Sequence, residues 1–239
     1  MREHEDRGTP VGRRVVLGML GLGAVGVVFG EPASAGISRA LAPLTSRDPS
    51  GLSGVVPAAG GFRYYSVTGT EPERDARTYR LTVGGLVDKP RTLRYGDLAD
   101  LPQTGLTKDF QCVTGWRVLG VPWAGVRLSD LLDTVGVRPG AKAVLFTSFD
   151  GTYTESLTLA QARRPDILVA TMMYGRPVTR SHGGPVRLYV APMYGYKSLK
   201  WLGGIQVSDR VVPGYWEERG YDIDAWVGRS NGRDDEPTG

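Results

Sequence analysis

Residues 143–157 read AVLFTSFDGTYTESL. Ala143 to Phe149 is an apolar run of strand length, Asp150-Gly151 is a turn pair, and Tyr153 to Leu157 has the texture of a second strand. The same short-element grammar continues on both sides. Upstream, Tyr79 to Val83 (YRLTV) alternates and predicts a strand stopped by Gly84-Gly85. Tyr95 to Leu101 reads as a short helix or turn closed by Pro102, and Asp109 to Val113 as a strand running into a turn at Gly115. Ser129 to Val135 (SDLLDTV) predicts a short helix with Ser129 as its N-cap. Downstream, Leu159 to Arg164 is a helical turn before Pro165, and Ile167–Met173, Val186–Val190 and Leu199–Val207 are further strands. Short strands and short helices in no regular βαβ order predict an α+β domain.

Composition narrows the chemistry. Of 239 residues 41% are hydrophobic and 23% charged, the balance of a globular protein, while 34 Gly and 16 Pro favour turns over a helical bundle. The net charge is a modest +4 and the cations are nearly all Arg. Arg grips carboxylates and phosphates with a planar fork, but a GC-rich genome supplies it equally well. One cysteine, Cys112, excludes an intrachain disulfide, a CxxC pair, a structural zinc site and a cysteine-ligated iron–sulfur cluster. With His4 near the start, His182 is the sole histidine of the body, so no bis-histidine haem can form. No HExxH or Walker motif occurs. Nothing in the charge pattern calls for a nucleic-acid partner.

The N-terminus has the layout of a targeting segment. Arg13-Arg14 precede an uncharged 15-residue run, Val15 to Phe29, and Pro32-Ala33-Ser34-Ala35 offers an A-x-A cleavage site. The arginine pair before a glycine-diluted run predicts the twin-arginine route, which exports proteins already folded around a cofactor. The alternative is a retained anchor, although fifteen residues span only about 22 Å as a helix, short of a hydrocarbon core of about 30 Å. The expected organisation is a signal at 1–35, a turn-rich linker at 36–61, a globular domain at 62–228 and a disordered polar tail at 229–239. In an exported chain the Cys112 thiol must be buried, reacted or ligated, since an exposed one would oxidise.

Two stretches carry chemistry. Cys112 sits in DFQCVTGW, residues 109–116. A lone cysteine is commonly core, but Gln111, Thr114 and Gly115 around it are not, and a thiol between strand and turn is placed to meet a ligand. The second stretch is SHGGPVRLYVAPMYGYKSLKW, residues 181–201, which gathers His182, Arg187, Lys197, Ser198 and Lys200 among glycines and aromatics. Arg187 lies in an otherwise apolar strand, so its fork requires a partner. Cations, a hydroxyl and main-chain N–H groups on one turn form an anion site, most naturally for phosphate; the alternative is a solvated basic hairpin.

DFQCVTGW, the 181–201 stretch and the TSFDG turn together resemble the molybdopterin-binding domain of sulfite-oxidase-type oxidoreductases, over about residues 62–227. The nearest likeness is to exported bacterial catalytic subunits of the methionine sulfoxide reductase type. The resemblance implies a mixed-sheet fold with short helices, lacking the C-terminal immunoglobulin-like dimerisation domain of true sulfite oxidases. It implies one molybdenum held by a single pterin and by Cys112, a soft ligand that suits the metal. It further implies cofactor contacts at Tyr65, Ser66, Thr147, His182, Arg187 and Ser198-Leu199-Lys200. His182 stands where the sulfoxide-reductase type has Asn.

The expected activity is a two-electron, oxygen-atom-transfer reaction on a small substrate, either sulfoxide reduction or oxidation of sulfite or another oxyanion. Electrons would pass to or from a partner, a membrane b-type cytochrome or a soluble carrier, and the chain is expected to be a monomer. Arg63 and Arg117 are candidate substrate clamps, and Trp116, Trp123 and Trp201 candidate pocket walls. The competing reading is a non-catalytic exported module that binds an anion or pterin; intact Cys112 argues against it.

Overall fold

The computed structural model describes residues 62–64 and 66–238. The signal, the linker and Tyr65 lie outside the described residues. Among the described residues ten strands form two five-stranded sheets, connected by three short helices.

The first sheet runs β2 (Arg91–Arg94), β1 (Arg80–Gly85), β10 (Leu202–Ser208), β5 (Ala143–Ser148), β6 (Thr154–Thr158). Its β1–β10 pair is parallel and the others antiparallel. The second sheet is antiparallel: β3 (Gln103–Gln111), β4 (Arg117–Arg127), β7 (Ile167–Met173) and β8 (Arg176–Pro177), with β9 (Arg187–Val190) also pairing β7. Helices α1 (Tyr95–Ala99), α2 (Leu128–Val135) and α3 (Leu159–Ala162) fill the connections. Mixed sheets with few short helices are the α+β architecture that the sequence predicts.

The main core is made where the inner face of the first sheet (Leu81, Val83, Phe146, Leu202, Ile205) meets α2 and one face of the second sheet (Val126, Val169, Leu188). Leu168, Ala170 and Tyr189 point the other way, into a smaller cluster with Val118, Val121 and Trp123. A strand buried on both faces needs apolar residues at nearly every position, which explains the unbroken ILVATMM of β7.

Two expectations are corrected, and one strand was not expected. Helix α2 begins one residue early, at Leu128, with Arg127 as N-cap; Ser129 lies inside the helix and its hydroxyl bonds to Asp130. The longest strand, β4, is not legible in its sequence RVLGVPWAGVR, where Gly120, Pro122 and Gly125 read as breakers. Gly125 is there for close approach: a Cβ on it would sit 2.2 Å from the Val169 carbonyl of the neighbouring strand. Finally, the polar segment after Gly228 is not loose. Tyr194 donates to Asp235 (2.8 Å), Thr238 to the Ala191 carbonyl (2.9 Å), and Arg117 to the Glu236 carbonyl. Composition made it look disordered; specific polar partners on the body hold it. No helix among the described residues is long and apolar enough to cross a membrane.

Candidate functional site

Strands β3 and β4 are joined by a tight loop at Cys112–Trp116. The Cys112 N–H donates to the Trp116 carbonyl (2.9 Å) and the Gly115 N–H to the Cys112 carbonyl (3.0 Å). This presents the thiol, 3.2 Å from the Thr114 hydroxyl, into a cavity of about 430 Å³. Burial pushes the thiol pKa up; the Thr114 hydrogen bonds and the charges of Arg63 and Arg233 pull against that.

The 181–201 stretch forms the adjoining wall. After a 3-10 turn (Arg180–His182) the chain passes Gly183-Gly184 into β9, then a second 3-10 turn (Gly195–Lys197) leads to Lys200 and Trp201. Two glycines make this fold-back possible. A Cβ on Gly184 would fall 2.0 Å from the Val178 carbonyl, and one on Gly195 would fall 2.4 Å from the Phe110 ring. Gly195 thus lets the turn sit directly on the strand that leads into Cys112, and so brings the two sequence motifs to one cavity.

Arg187 is fully buried and lines that cavity. It donates to the carbonyls of His182 (2.6 Å), Ser198 (2.8 Å) and Leu188 (3.4 Å), and its guanidinium lies 5.2 Å from the Trp123 ring centre. No carboxylate among the described residues pairs with it, and burial lowers its pKa to about 10. A buried cation held only by neutral dipoles attracts an anion. Lys200 lines the same cavity; its ammonium donates to the Ser181 carbonyl (2.7 Å), and burial, then Arg187, lowers its pKa to about 7. His182 is half-buried against Phe62, with the Tyr64 hydroxyl 3.0 Å from Nε2; burial, then Arg187 and Lys200, depresses its pKa to about 4, so the ring is neutral at physiological pH. Ser66, Ser198 and Leu199 line the cavity with Arg187 and Lys200, whereas His182 does not, its ring lying against Phe62 and Tyr64.

Other sequence expectations fare differently. Lys197, grouped by sequence with the anion site, points away: its ammonium lies between Glu155 (2.8 Å) and Glu217, wholly buried. The turn's N–H groups are not free at Ser198 and Leu199, which donate to Gly195 and Lys197. Thr147 does not reach the cavity. It is exposed on the outer face of β5, whereas its neighbour Ser148 is buried and bonded to Asp150, because successive strand residues face opposite ways. Arg63 lines the cavity. Arg117 does not; it pairs with Asp109 (3.4 Å) and Gln111 (2.6 Å) and anchors the C-terminal segment. Trp116 and Trp201 are walls, while Trp123 stacks on Tyr189 in the smaller core.

The sequence reading missed the aromatic wall of Tyr153, Tyr196, Tyr215, Trp216 and Tyr221. It also missed Arg233, whose guanidinium would meet a Cβ on Gly115 at 3.0 Å, beside the thiol loop. The density of tyrosines between 194 and 221 was the available signal.

One soft sulfur donor and a buried guanidinium without an acidic partner share a cavity of small-molecule size. Among the described residues no cluster of three His, Cys, Asp or Glu could hold a metal by itself. This donor set suits a metal whose remaining ligands come from an anionic organic cofactor, the class of thiolate-anchored metal–cofactor enzymes. Residues 68–216 match the family model described as the oxidoreductase molybdopterin binding domain, so this chain belongs to that family and is a molybdopterin-dependent oxidoreductase of the sulfite-oxidase type.

Curated relatives agree. The chain is 37% identical over 154 residues to the uncharacterized oxidoreductase YuiH of Bacillus subtilis, covering 64% of this chain and 77% of that one. It is 32% identical to a sulfite oxidase of Arabidopsis thaliana (61% and 46% covered). It is 29% identical to the protein-methionine-sulfoxide reductase catalytic subunit MsrP of Xanthomonas axonopodis (66% and 55% covered). Among solved structures, the sulfane dehydrogenase SoxCD of Paracoccus pantotrophus superposes with a TM-score of 0.58 at 25% identity, over 67% of this chain and 46% of that one. The chain therefore spans about half the length of the last three.

Proposed function

We propose that this protein is an exported oxidoreductase that moves two electrons, together with an oxygen atom, to or from a small substrate, with Cys112 as the protein's ligand to molybdenum. The observation that carries this is the Cys112 thiol facing the same cavity as acid-free Arg187. The bound molybdenum–pterin supplies the redox chemistry. Cys112 gives up its proton to become a thiolate ligand. Arg187 and Lys200 would hold the cofactor's phosphate, with Ser66, Ser198 and Leu199 beside them in the cavity and with His182 and Tyr65 as the further contacts that the family resemblance implies. Trp116, Trp201 and the tyrosine wall exclude water, and Arg63 in the cavity lining orients a substrate oxygen. The substrate is a sulfoxide, sulfite or a related oxyanion; electrons are exchanged with a separate carrier. Arg13-Arg14 direct export through the twin-arginine route, with cleavage after Ala35.

The test is metal and pterin analysis of the full chain from a molybdenum-replete host, followed by dye-linked assays with methionine sulfoxide and with sulfite. Near-stoichiometric molybdenum and turnover of one substrate class are expected; a metal-free folded protein overturns the reading. Precursor accumulation in an Arg13→Lys/Arg14→Lys variant checks the export route.

A further inference from the structure

Glu155, Lys197 and Glu217 form a buried cluster of charge. Each comes from a different element: Glu155 from β6, Lys197 from the turn Gly195–Lys197, and Glu217 from a 3-10 turn at Glu217–Arg219. Lys197 donates to Glu155 Oε2 (2.8 Å), to the Ser156 carbonyl (3.1 Å) and to Glu217 Oε1. Those three bonds use every proton of the ammonium. Glu155 Oε1 and Glu217 Oε2 remain, both buried and neither bonded to a donor. The site is closely packed: a Cβ on Gly214 would fall 2.8 Å from Glu217 Oε2 and 2.9 Å from Glu155 Cα.

One cation against two carboxylates leaves a buried net negative charge, which is costly. A single proton on the pair removes that charge. The two carboxyls lie within hydrogen-bonding reach of each other, so the same proton also serves both orphan oxygens. Burial, with the Glu217 charge adding to it and Lys197 opposing, holds the Glu155 carboxyl well above the usual carboxylate range.

The cluster backs onto the cavity wall. Lys197 stands between Tyr196 and Ser198 in the chain, Glu217 follows Trp216, and all three of these neighbours line the cavity. Tyr153 lines it too, two residues before Glu155. The Ser148 N–H donates to the Tyr153 carbonyl (2.9 Å), so the β5–β6 ladder extends to it. Strand alternation then sets Tyr153 and Glu155 on one face, about 7 Å apart along the chain. The Tyr153 hydroxyl donates to the Tyr196 carbonyl (2.7 Å), and the charges of both glutamates act on Tyr153 and on Tyr196. Tyr215 stacks on Tyr153, Asp222 acts on Tyr196 from an exposed position, and Glu218 and Arg219 on the Glu217 turn are exposed.

We propose that Glu155 and Glu217 share one exchangeable proton and that Tyr153 passes it into the cavity when a substrate oxygen is reduced. The proposal rests on the redox reading above. Reducing a sulfoxide to a sulfide consumes two electrons and two protons and releases water; the separate carrier provides the electrons. The carboxyl pair provides one proton. Its O–H bond breaks, Tyr153 Oη gains that proton, and the Tyr153 O–H, turning from the Tyr196 carbonyl, yields its own to the departing oxygen. The pair is left as two carboxylates against Lys197 and is reloaded from solvent, which also supplies the second proton.

Infrared spectra of the full chain read the stored proton without turnover. At pH 7 wild type should show the C=O stretch of a protonated carboxylic acid, shifted in heavy water. Glu155→Gln and Glu217→Gln should each lack it, because a lone carboxylate beside Lys197 ionises. No such band in wild type, or its persistence in both variants, would overturn the shared proton. The molybdenum-loaded chain is then assayed with a reduced uncharged dye and methionine sulfoxide. Glu155→Gln and Tyr153→Phe should each lower kcat about a hundredfold with KM little changed, the low end of what a positioned proton donor contributes. Wild-type kcat should fall as the pH rises through the titration of the pair, and Glu155→Gln should lack this limb. A wild-type rate and pH profile in Tyr153→Phe would overturn the relay, and a wild-type profile in Glu155→Gln would reduce the cluster to a structural ion triad. Turnover of sulfite but not of sulfoxide would overturn the proton-donating direction. A folded wild type without molybdenum refutes the redox reading itself, a result the infrared spectra cannot give. Should Glu155→Gln misfold, Glu155→Asp keeps the acid and should retain the band with a shifted pH limb.

Discussion

The Arg187 guanidinium donates to the main-chain carbonyl of Ser198 at 2.8 Å, across the fold-back that joins β9 to the Lys200 turn. With its bond to the His182 carbonyl (2.6 Å), one buried side chain ties together three residues that the sequence spreads over 17 positions, 182 to 198. The same group therefore builds the cavity wall and charges it.

Arg187→Ala should lower pterin retention about ten- to hundred-fold, since a charge-assisted hydrogen bond contributes roughly 1.5–3 kcal/mol. Lys200→Ala should cost less, and Arg187→Lys should restore only part of the loss, because an ammonium cannot span both carbonyls. Fluorescence of the oxidised pterin after purification measures this. Full occupancy in the Arg187→Ala/Lys200→Ala double variant would return these residues to a purely structural role.

Cys112→Ser should keep the fold and lose molybdenum. The loop's backbone bonds do not involve the sulfur, and the replacement hydroxyl is a hard, weakly acidic donor. Circular dichroism and elemental analysis of the same sample decide it; stoichiometric metal in the Ser variant sinks the assignment.

Cofactor-free protein should bind sulfate, a dianion throughout this range, more tightly at pH 6 than at pH 8.5. Lys200 has its pKa lowered to about 7 by burial, so it gains its charge as the pH falls through that value. The sign for stability is opposite. Between the unfolded value near 10.5 and about 7 the unfolded chain holds a proton that the folded one releases, so Lys200 lowers stability as the pH drops across that window and adds no slope below it. Calorimetric titration of wild type and Lys200→Met should show the pH dependence only in the former.

Lys197→Met should destabilise the protein by about 3–5 kcal/mol, because it leaves two buried carboxylates without their counter-charge. Burial and Glu217 hold the Glu155 carboxyl well above the usual carboxylate range. Its proton favours the folded state, so this contribution is present at low pH and is lost as the pH rises through the folded pKa. Glu155→Gln should flatten that decline. Denaturant midpoints across pH 4–9 are the readout, and a Lys197→Met variant as stable as wild type would contradict the burial.

Truncation after Gly228 should cost about 1–3 kcal/mol by removing the Tyr194–Asp235, Arg117–Glu236 and Thr238–Ala191 bonds. It should also loosen the thiol loop, which Arg233 abuts. Thermal unfolding and protease sensitivity near Arg229 test it; a truncated chain indistinguishable from full length would restore the expectation of a disordered tail.

Sequence alone determined the elements whose signal is local. The alternation of YRLTV, the apolar run AVLFTSF and the continuous ILVATMM each state a burial pattern that one strand can satisfy by itself. The single cysteine and the GGPVR and YGYKSLK stretches likewise carried the family, since their residue types and spacing are intrinsic to the chain. Tertiary structure decided what depends on partners distant in sequence. Strand β4 forms despite Pro122 because β3 and β7 flank it. Lys197 and Lys200 look alike in sequence, yet one meets Glu155 and Glu217 and the other enters the cavity. Thr147 and Ser148 differ by one position and so face opposite sides of the sheet. Charge and propensity are properties of a residue, but the direction a side chain takes, and the company it keeps there, are fixed only when the two sheets close on their core.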